Sequence, residues 1–258
     1  MTNSTTPPSV ASQGLRLTVA EARRALAQAQ KPPHGTPAYS RFVNRPLGRR
    51  LAAIAAVRGL TPNQVSALSA LCSFTAIAVL ALVAPAWWVG VVVSALLVLG
   101  YALDSADGQV ARLTGAGSPF GEWLDHMIDC AKVSSLHLAT AVHLVRFSGL
   151  DLAVALVPFG YLLAANVTFF GMMLTDQLRR AHGQNPMTKG GSLSVVRSLL
   201  ILPSDYGFLC LGYLLLGWTT AFLVGYAAMA LGAVLLLGAA LVKWTRQMRA
   251  LPAKGAAR

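Results

Sequence analysis

Long apolar runs without charge dominate the chain from residue 59 onward. The first run, residues 59–103, contains 45 residues and no Asp, Glu, Lys or Arg. One transmembrane helix needs about 20 apolar residues, so this run is long enough for two helices, which the sequence "APAWW" separates. The full pattern predicts an all-α, polytopic integral membrane protein with six transmembrane helices. Their predicted ranges are about 63–84, 86–113, 119–146, 152–175, 205–221 and 223–243.

The segments outside these spans are more polar. Residues 1–35 are rich in Ser, Thr, Pro and Gln, which predicts a disordered or partly helical cytoplasmic tail. Residues 36–60 are predicted to form a juxtamembrane helix, residues 61–245 the six-helix domain, and residues 246–258 a basic cytoplasmic tail.

The juxtamembrane segment has its own pattern of alternating basic and apolar residues. Arg41 and Arg49, for example, are interleaved with Phe42 and Leu51. This pattern is typical of an amphipathic helix that lies in the membrane interface with its apolar side toward the lipid. A cytosolic helix that packs on a partner is the alternative interpretation.

Composition supports a membrane protein and excludes other classes. The chain is 55% hydrophobic and 12% charged, whereas soluble domains carry about 25% charged residues. The net charge of +12 does not indicate nucleic-acid binding, because no basic soluble domain is present. The three cysteines are far apart, without the spacing of a metal site or a disulfide framework.

The basic residues also predict orientation. Nine of the 21 Lys and Arg residues precede the first span, four lie between the fourth and fifth spans, and five follow the last. Such residues concentrate on the cytoplasmic side. We therefore expect a plasma-membrane protein whose termini and acidic helix ends face the cytoplasm.

Four of the nine acidic residues are concentrated directly after the first apolar run. Asp104 and Asp107 are three residues apart on one predicted helix, and Asp125 and Asp129 are four apart on the next, so each pair shares a helix face. The tight turn "TGAGSP" returns the second helix beside the first. Clustered carboxylates near hydrocarbon are costly unless a cation neutralises them. Carboxylate oxygens suit Mg²⁺, and two ions fit between four carboxylates.

Other residues near the aspartates predict an anionic ligand. Gly108 leaves a gap for close approach, Arg112 can grip a phosphate with two hydrogen bonds, and Ser118 offers a further donor. Lys132 has three open interpretations, namely binding of an acceptor anion, neutralisation of an aspartate, or extension of its ammonium group toward water. His126 is one step off the aspartate stripe and is predicted to point away from the metals.

The complete spacing is Asp-x2-Asp-Gly-x2-Ala-Arg-x8-Gly-x3-Asp-x3-Asp. It resembles the signature of the CDP-alcohol phosphotransferase family, also called the CDP-alcohol phosphatidyltransferase family. The resemblance extends over roughly residues 40–245. All eight fixed positions are present: Asp104, Asp107, Gly108, Ala111, Arg112, Gly121, Asp125 and Asp129.

The resemblance implies transfer of a phospho-alcohol group from a CDP-linked donor to a hydroxyl acceptor, with release of CMP. It implies that the four aspartates bind two Mg²⁺ ions, with Mn²⁺ as a substitute, and that Asp129 is the catalytic base. It also implies a homodimer. The implied contacts to the CDP part of the donor are Thr61, Pro62, Asn63, Gln64, Gly108, Arg112 and Ser118.

Several alternatives stay open at this point. CDP-diacylglycerol is the preferred donor, because its tails can stay in the membrane, but a soluble donor of the CDP-choline, CDP-ethanolamine or CDP-inositol type is possible. From another class, a divalent-cation transporter would also place acids in a membrane. The acceptor is not readable, although Arg179, Lys189 and Arg197 are candidates to line its pocket.

Overall fold

The structure, a computed structural model, describes residues 18–28, 37–184 and 205–252. All regular elements within these ranges are helical, which confirms the predicted all-α class. The α-helices are α1 Val19–Gln28, α2 Arg45–Val57, α3 Pro62–Leu82, α4 Trp87–Thr114, α5 Pro119–Phe147, α6 Leu156–Ala181, α7 Tyr206–Gly212 and α8 Thr219–Arg249. A π-helical turn Ser40–Asn44 precedes α2, and 3₁₀ turns Leu152–Ala155 and Tyr213–Gly217 precede α6 and follow α7.

Four helical segments in the described part of the chain are long and apolar enough to cross a membrane. They are Pro62–Leu82, Trp87–Thr114, Leu152–Ala181 and Thr219–Arg249. The membrane-protein class is thereby supported, while the count of six spans stays a prediction. Helix α5 has 29 residues, but its five charged side chains make it less apolar than the other four.

The first three predicted spans agree with α3, α4 and α5 to within a few residues. Capping explains their ends. Thr61 and Gln64 form a capping box at the start of α3, Ser118 accepts a hydrogen bond from the backbone N–H of Gly121 at the start of α5, and Gly115 ends α4 with a φ of 69°. Thr61 and Ser118 accept hydrogen bonds from backbone N–H groups that a helix start leaves unpaired, and Gly115 adopts the left-handed conformation at which helices commonly end.

The predicted fifth span, 205–221, is not one continuous helix. Helix α7 is followed directly by the 3₁₀ turn, and α8 begins at Thr219. Gly217 packs closely against the start of α4, where an added Cβ would lie 2.8 Å from the backbone nitrogen of Trp87. Glycine permits this close approach beside the helix break, and apolar composition does not reveal it.

Helix α4 occupies the centre of the bundle and packs against α2, α3 and α7. The larger core cluster includes Leu80, Val93, Leu97, Leu136 and Tyr213. A second cluster lies at the end of α4 that carries the aspartates, and it includes Leu26, Ala53, Val65, Val110 and Leu113.

The segments before α3 pack onto this second cluster. Helix α1 buries Ala22 and Leu26 against α2 and α4, so part of the predicted tail is an ordered helix. Helix α2 buries small residues such as Ala52, and Gly48 lies close to Ser105 of α4. Membrane-interface placement of α2 stays a prediction, but its buried side packs on the domain itself.

Candidate active site

Helices α4 and α5 bring the aspartates of both together at one end of the bundle. The clearest link is Lys132, whose Nζ lies 2.5 Å from Asp104 Oδ1 and 2.8 Å from Asp129 Oδ1. The side chain of Lys132 is 4% exposed, against 19% for Asp104 and 31% for Asp129. The helix faces predicted to converge are therefore adjacent, and an ammonium group lies between them.

Asp107 is held separately, from α3 and from its own helix. Ser66 Oγ donates a hydrogen bond of 2.5 Å to Asp107 Oδ2, and the backbone N–H of Gly108 donates one of 2.5 Å to Oδ1. Sequence reasoning missed Ser66. The sequence does contain a signal for Ser66, because it lies one helical turn after Pro62, on the same side of α3 as a candidate donor contact.

A cavity of about 630 Å³ opens beside these groups. It is bounded by the beginnings of α3 and α5 and by the ends of α4 and α6. The lining residues include Pro62, Asn63, Ser66, Asp107, Gly108, Ala111, Arg112, Ser118, Gly121, Glu122, Asp125, His126 and Arg180.

Five of the seven predicted nucleotide contacts line this cavity, namely Pro62, Asn63, Gly108, Arg112 and Ser118. The side chains of the other two, Thr61 and Gln64, are engaged in the capping box. The Thr61 N–H donates to Gln64 Oε1 at 2.9 Å, and the Gln64 N–H donates to Thr61 Oγ1 at 3.3 Å. In this structure these two residues shape the helix start, and their role as donor contacts stays a prediction.

The two signature glycines have different surroundings. A Cβ on Gly121 would lie 3.2 Å from Asn63 Oδ1, so glycine lets the start of α5 approach the start of α3. A Cβ on Gly108 would meet Arg112 Nη1 at an ordinary 3.5 Å among the described residues. Packing therefore does not require glycine at position 108, and the freed space belongs to the cavity.

His126 was predicted to point away from the aspartates, and the structure corrects this. One ring nitrogen of His126 and one carboxylate oxygen from each of Asp125 and Asp129 lie within 4.8 Å of one another. The physical reason is helical spacing. Residues three apart share a face, so His126 lies beside Asp129 as well as next to Asp125 in sequence.

The residues of the site fit a divalent cation. The donors are hard carboxylate oxygens, which Mg²⁺ and Mn²⁺ prefer. The ammonium group of Lys132, between Asp104 and Asp129, marks a position where the surrounding carboxylates stabilise positive charge. Four carboxylates without such compensation would repel one another.

Comparison with known proteins decides the family. The family model for CDP-alcohol phosphatidyltransferase matches residues 59–244, a range that includes every residue of the signature. The chain belongs to the CDP-alcohol phosphatidyltransferase family. It is accordingly a transferase of phosphate-containing groups, and members of the family depend on a divalent metal and transfer phospholipid head groups from a CDP-alcohol.

A solved structure shares the fold of this chain. It is the crystal structure of the Mycobacterium tuberculosis phosphatidylinositol phosphate synthase in complex with manganese and citrate. The two chains are 17% identical, with a TM-score of 0.52 over 81% of this chain and 91% of the other. A search of curated proteins finds no match.

Two basic residues extend the candidate site beyond the signature. Lys132 is ion-paired with both Asp104 and Asp129, which favours neutralisation over binding of an acceptor anion. Arg180, at the end of α6, lines the cavity and pairs with Asp176 at 2.6 Å. Sequence reasoning missed Arg180, although its position at the basic end of the fourth span was a signal.

The predicted acceptor pocket is described only in part. Lys189 and Arg197 lie outside the described residues, whereas Arg179 lies in the last turn of α6. Its role toward an acceptor stays a prediction.

Proposed function

We propose that this protein transfers a phosphatidyl group from CDP-diacylglycerol to a hydroxyl acceptor, with release of CMP, in phospholipid biosynthesis. One observation carries the proposal. Aspartates from two helices meet beside a cavity of about 630 Å³ that also presents Arg112 and Arg180. This volume is within the range of about 300–1,000 Å³ that small-molecule sites occupy, and its mixed acidic and basic lining suits a metal-bound pyrophosphate.

In this proposal Asp104, Asp107, Asp125 and Asp129 hold two divalent ions, Mg²⁺ or Mn²⁺. The bound ions would neutralise the pyrophosphate and stabilise the charge that develops on the leaving CMP. The protein contributes alignment, because Ser66 fixes Asp107 and Lys132 fixes Asp104 and Asp129 before substrate arrives. Fixed groups need no reorganisation during the reaction.

Asp129 is the proposed base. Its side chain is 31% exposed, so a substrate hydroxyl can reach it, whereas the more buried Asp107 is engaged by Ser66 and the Gly108 N–H. Asp129 takes the proton of the acceptor hydroxyl, whose oxygen forms a bond to the phosphorus that carries the diacylglycerol. The bond from that phosphorus to the oxygen of CMP breaks, and CMP leaves with the bonding electrons.

Residues on the cavity wall bind the donor. Arg112, Arg180 and Ser118 line the cavity, where their side chains would contact phosphate oxygens, and Gly108 leaves room for the nucleotide. Arginine suits this task, because its planar group donates two parallel hydrogen bonds to phosphate.

Exposed aromatic rings support a lipid donor over a soluble one. Phe120 and Trp123 are more than half exposed, and their ring centroids are 5.9 Å apart. They flank Gly121 and Glu122, which line the cavity. Aromatic residues are enriched at the membrane interface, so this position suits a donor whose acyl chains stay in the bilayer.

The proposal also includes the location and assembly of the protein. The active site faces the cytoplasm in the plasma membrane, and the protein is a homodimer.

The test uses the purified full-length protein in lipid nanodiscs. Each reaction contains radiolabelled CDP-diacylglycerol, Mg²⁺ and one acceptor, which is glycerol phosphate, inositol phosphate, inositol or serine. The lipid product is identified by chromatography. We expect metal-dependent CMP release with one acceptor, and its loss in Asp129→Asn. Asp151→Asn is the matched control, because Asp151 is exposed and only caps a turn.

Three results would contradict parts of the proposal. Full activity of Asp129→Asn would refute the assignment of the base. Turnover of CDP-choline in place of CDP-diacylglycerol would refute the lipid donor. Transport of Mn²⁺ across vesicles without release of CMP would support the cation-transporter alternative.

A further inference from the structure

His126 is a cavity residue that the family signature does not include. Its ring lies against Phe169 of α6, with ring centroids 6.3 Å apart and an angle of 70° between the ring planes. This contact places the imidazole between α5 and α6, at the wall of the cavity that also contains Asp107 and Asp125.

The ring nitrogens of His126 have no hydrogen-bond partner among the residues that the structure describes. The two buried histidines of the same helix differ in this respect, because His137 contacts the hydroxyl of Tyr226 at 2.5 Å and His143 contacts the carbonyl oxygen of Leu80 at 2.8 Å. Those two rings have structural partners. The ring of His126 is instead directed toward carboxylates.

The distances suit a shared ion. One nitrogen of His126 and oxygens of Asp125 and Asp129 lie within 4.8 Å of one another. Donors around a six-coordinate ion with bonds of about 2.1 Å are separated by about 3.0 to 4.2 Å. Small rotations of these side chains are therefore enough to bring all three donors onto one ion.

We propose that His126 is an additional, nitrogen ligand of the divalent ion held by Asp125 and Asp129. The inference rests on the proposed function, in which these aspartates bind metal. Imidazole binds first-row transition ions well, whereas Mg²⁺ prefers oxygen. His126 therefore favours transition ions over Mg²⁺ at this site, and Mn²⁺ is a transition ion that carboxylate oxygens also accept.

The test measures metal binding directly and does not depend on turnover. Full-length protein in nanodiscs is loaded with Mn²⁺, and pulsed electron paramagnetic resonance detects nitrogen nuclei that are coupled to the ion. We expect a ¹⁴N modulation in the wild-type protein that changes when the protein is made with ¹⁵N-histidine and disappears in His126→Gln. His182→Gln is the matched control and should keep the signal, because the ring of His182 already pairs with the carbonyl oxygen of Leu178 at 2.8 Å.

Titration of free Mn²⁺ provides a second measurement. We expect His126→Gln to weaken Mn²⁺ binding by about tenfold or more. The affinity for Mg²⁺, measured by competition with Mn²⁺, should change by less than about threefold. Equal losses for both ions would overturn the inference. Bound Mn²⁺ without a histidine signal in the wild-type protein would overturn it while leaving the proposed function intact. No binding of Mn²⁺ at all would overturn the inference, and the absence of Mg²⁺ binding as well would overturn the proposed function.

Discussion

Replacement of Lys132 by methionine tests the idea that an internal ammonium group compensates the aspartates in the absence of metal. Methionine keeps most of the volume and removes the charge. The ammonium group is almost fully buried and makes ion pairs of 2.5 Å and 2.8 Å with Asp104 and Asp129. Removal of one partner from a buried ion pair costs about 3–5 kcal/mol.

We expect the lower end of that range, about 3 kcal/mol, because the Asp129 side chain is 31% exposed and water screens part of its charge. For a chain of this size, about 1 kcal/mol corresponds to roughly 2–4 °C in melting temperature. Lys132→Met in EDTA should therefore melt about 6–12 °C below the wild-type protein. Added Mn²⁺ should recover most of this loss, since a bound ion supplies the missing positive charge.

The assay is thermal unfolding in detergent, followed by intrinsic fluorescence, with EDTA or with saturating Mn²⁺. Lys243→Met is the control, because Lys243 is exposed on α8 and its loss should change little in either condition. The reasoning is refuted if Lys132→Met melts within about 2 °C of the wild-type protein in EDTA, or if Mn²⁺ stabilises both proteins equally.

Three further substitutions test other parts of the structure. Gly108→Ala should not lower the melting temperature, because the added Cβ makes only an ordinary contact and alanine favours a helix more than glycine. It should weaken CMP binding by calorimetry about tenfold, or about 1.4 kcal/mol. Gly160→Ala, in open space, should not lower the melting temperature either and should leave CMP binding unchanged. Ser66→Ala removes a buried hydrogen bond to a carboxylate and should lower thermal stability by about 1–3 kcal/mol. Leu26→Ala should lower the free energy of unfolding, measured with a chemical denaturant, by about 2–4 kcal/mol, because Leu26 is 1% exposed. Val19→Ala is the control and should cost much less, because Val19 is 41% exposed. Equal effects would show that α1 does not pack as described.

The membrane class and most helix positions could be predicted from the sequence. Span length and hydropathy are properties of contiguous residues, so α3, α4 and α5 were located without tertiary information. The helix starts depend on local chemistry too, since Thr61 and Gln64, three residues apart, form the capping box of α3. The 3₁₀ turn that interrupts the predicted fifth span was missed. Gly217, at the end of this turn, lies close to Trp87, which is distant in sequence, so the apolar pattern does not show this contact.

The aspartate spacing determined the family and the residues that share a helix face, because helical periodicity is a local property. Only the tertiary structure decided which side chains meet across helices. Ser66 and Asp107 are 41 residues apart in sequence, and Lys132 and Asp104 are 28 apart. Periodicity does not determine how each helix is rotated about its axis against its neighbours. That rotation, set by packing of the whole bundle, brought Arg180 of α6 to the site.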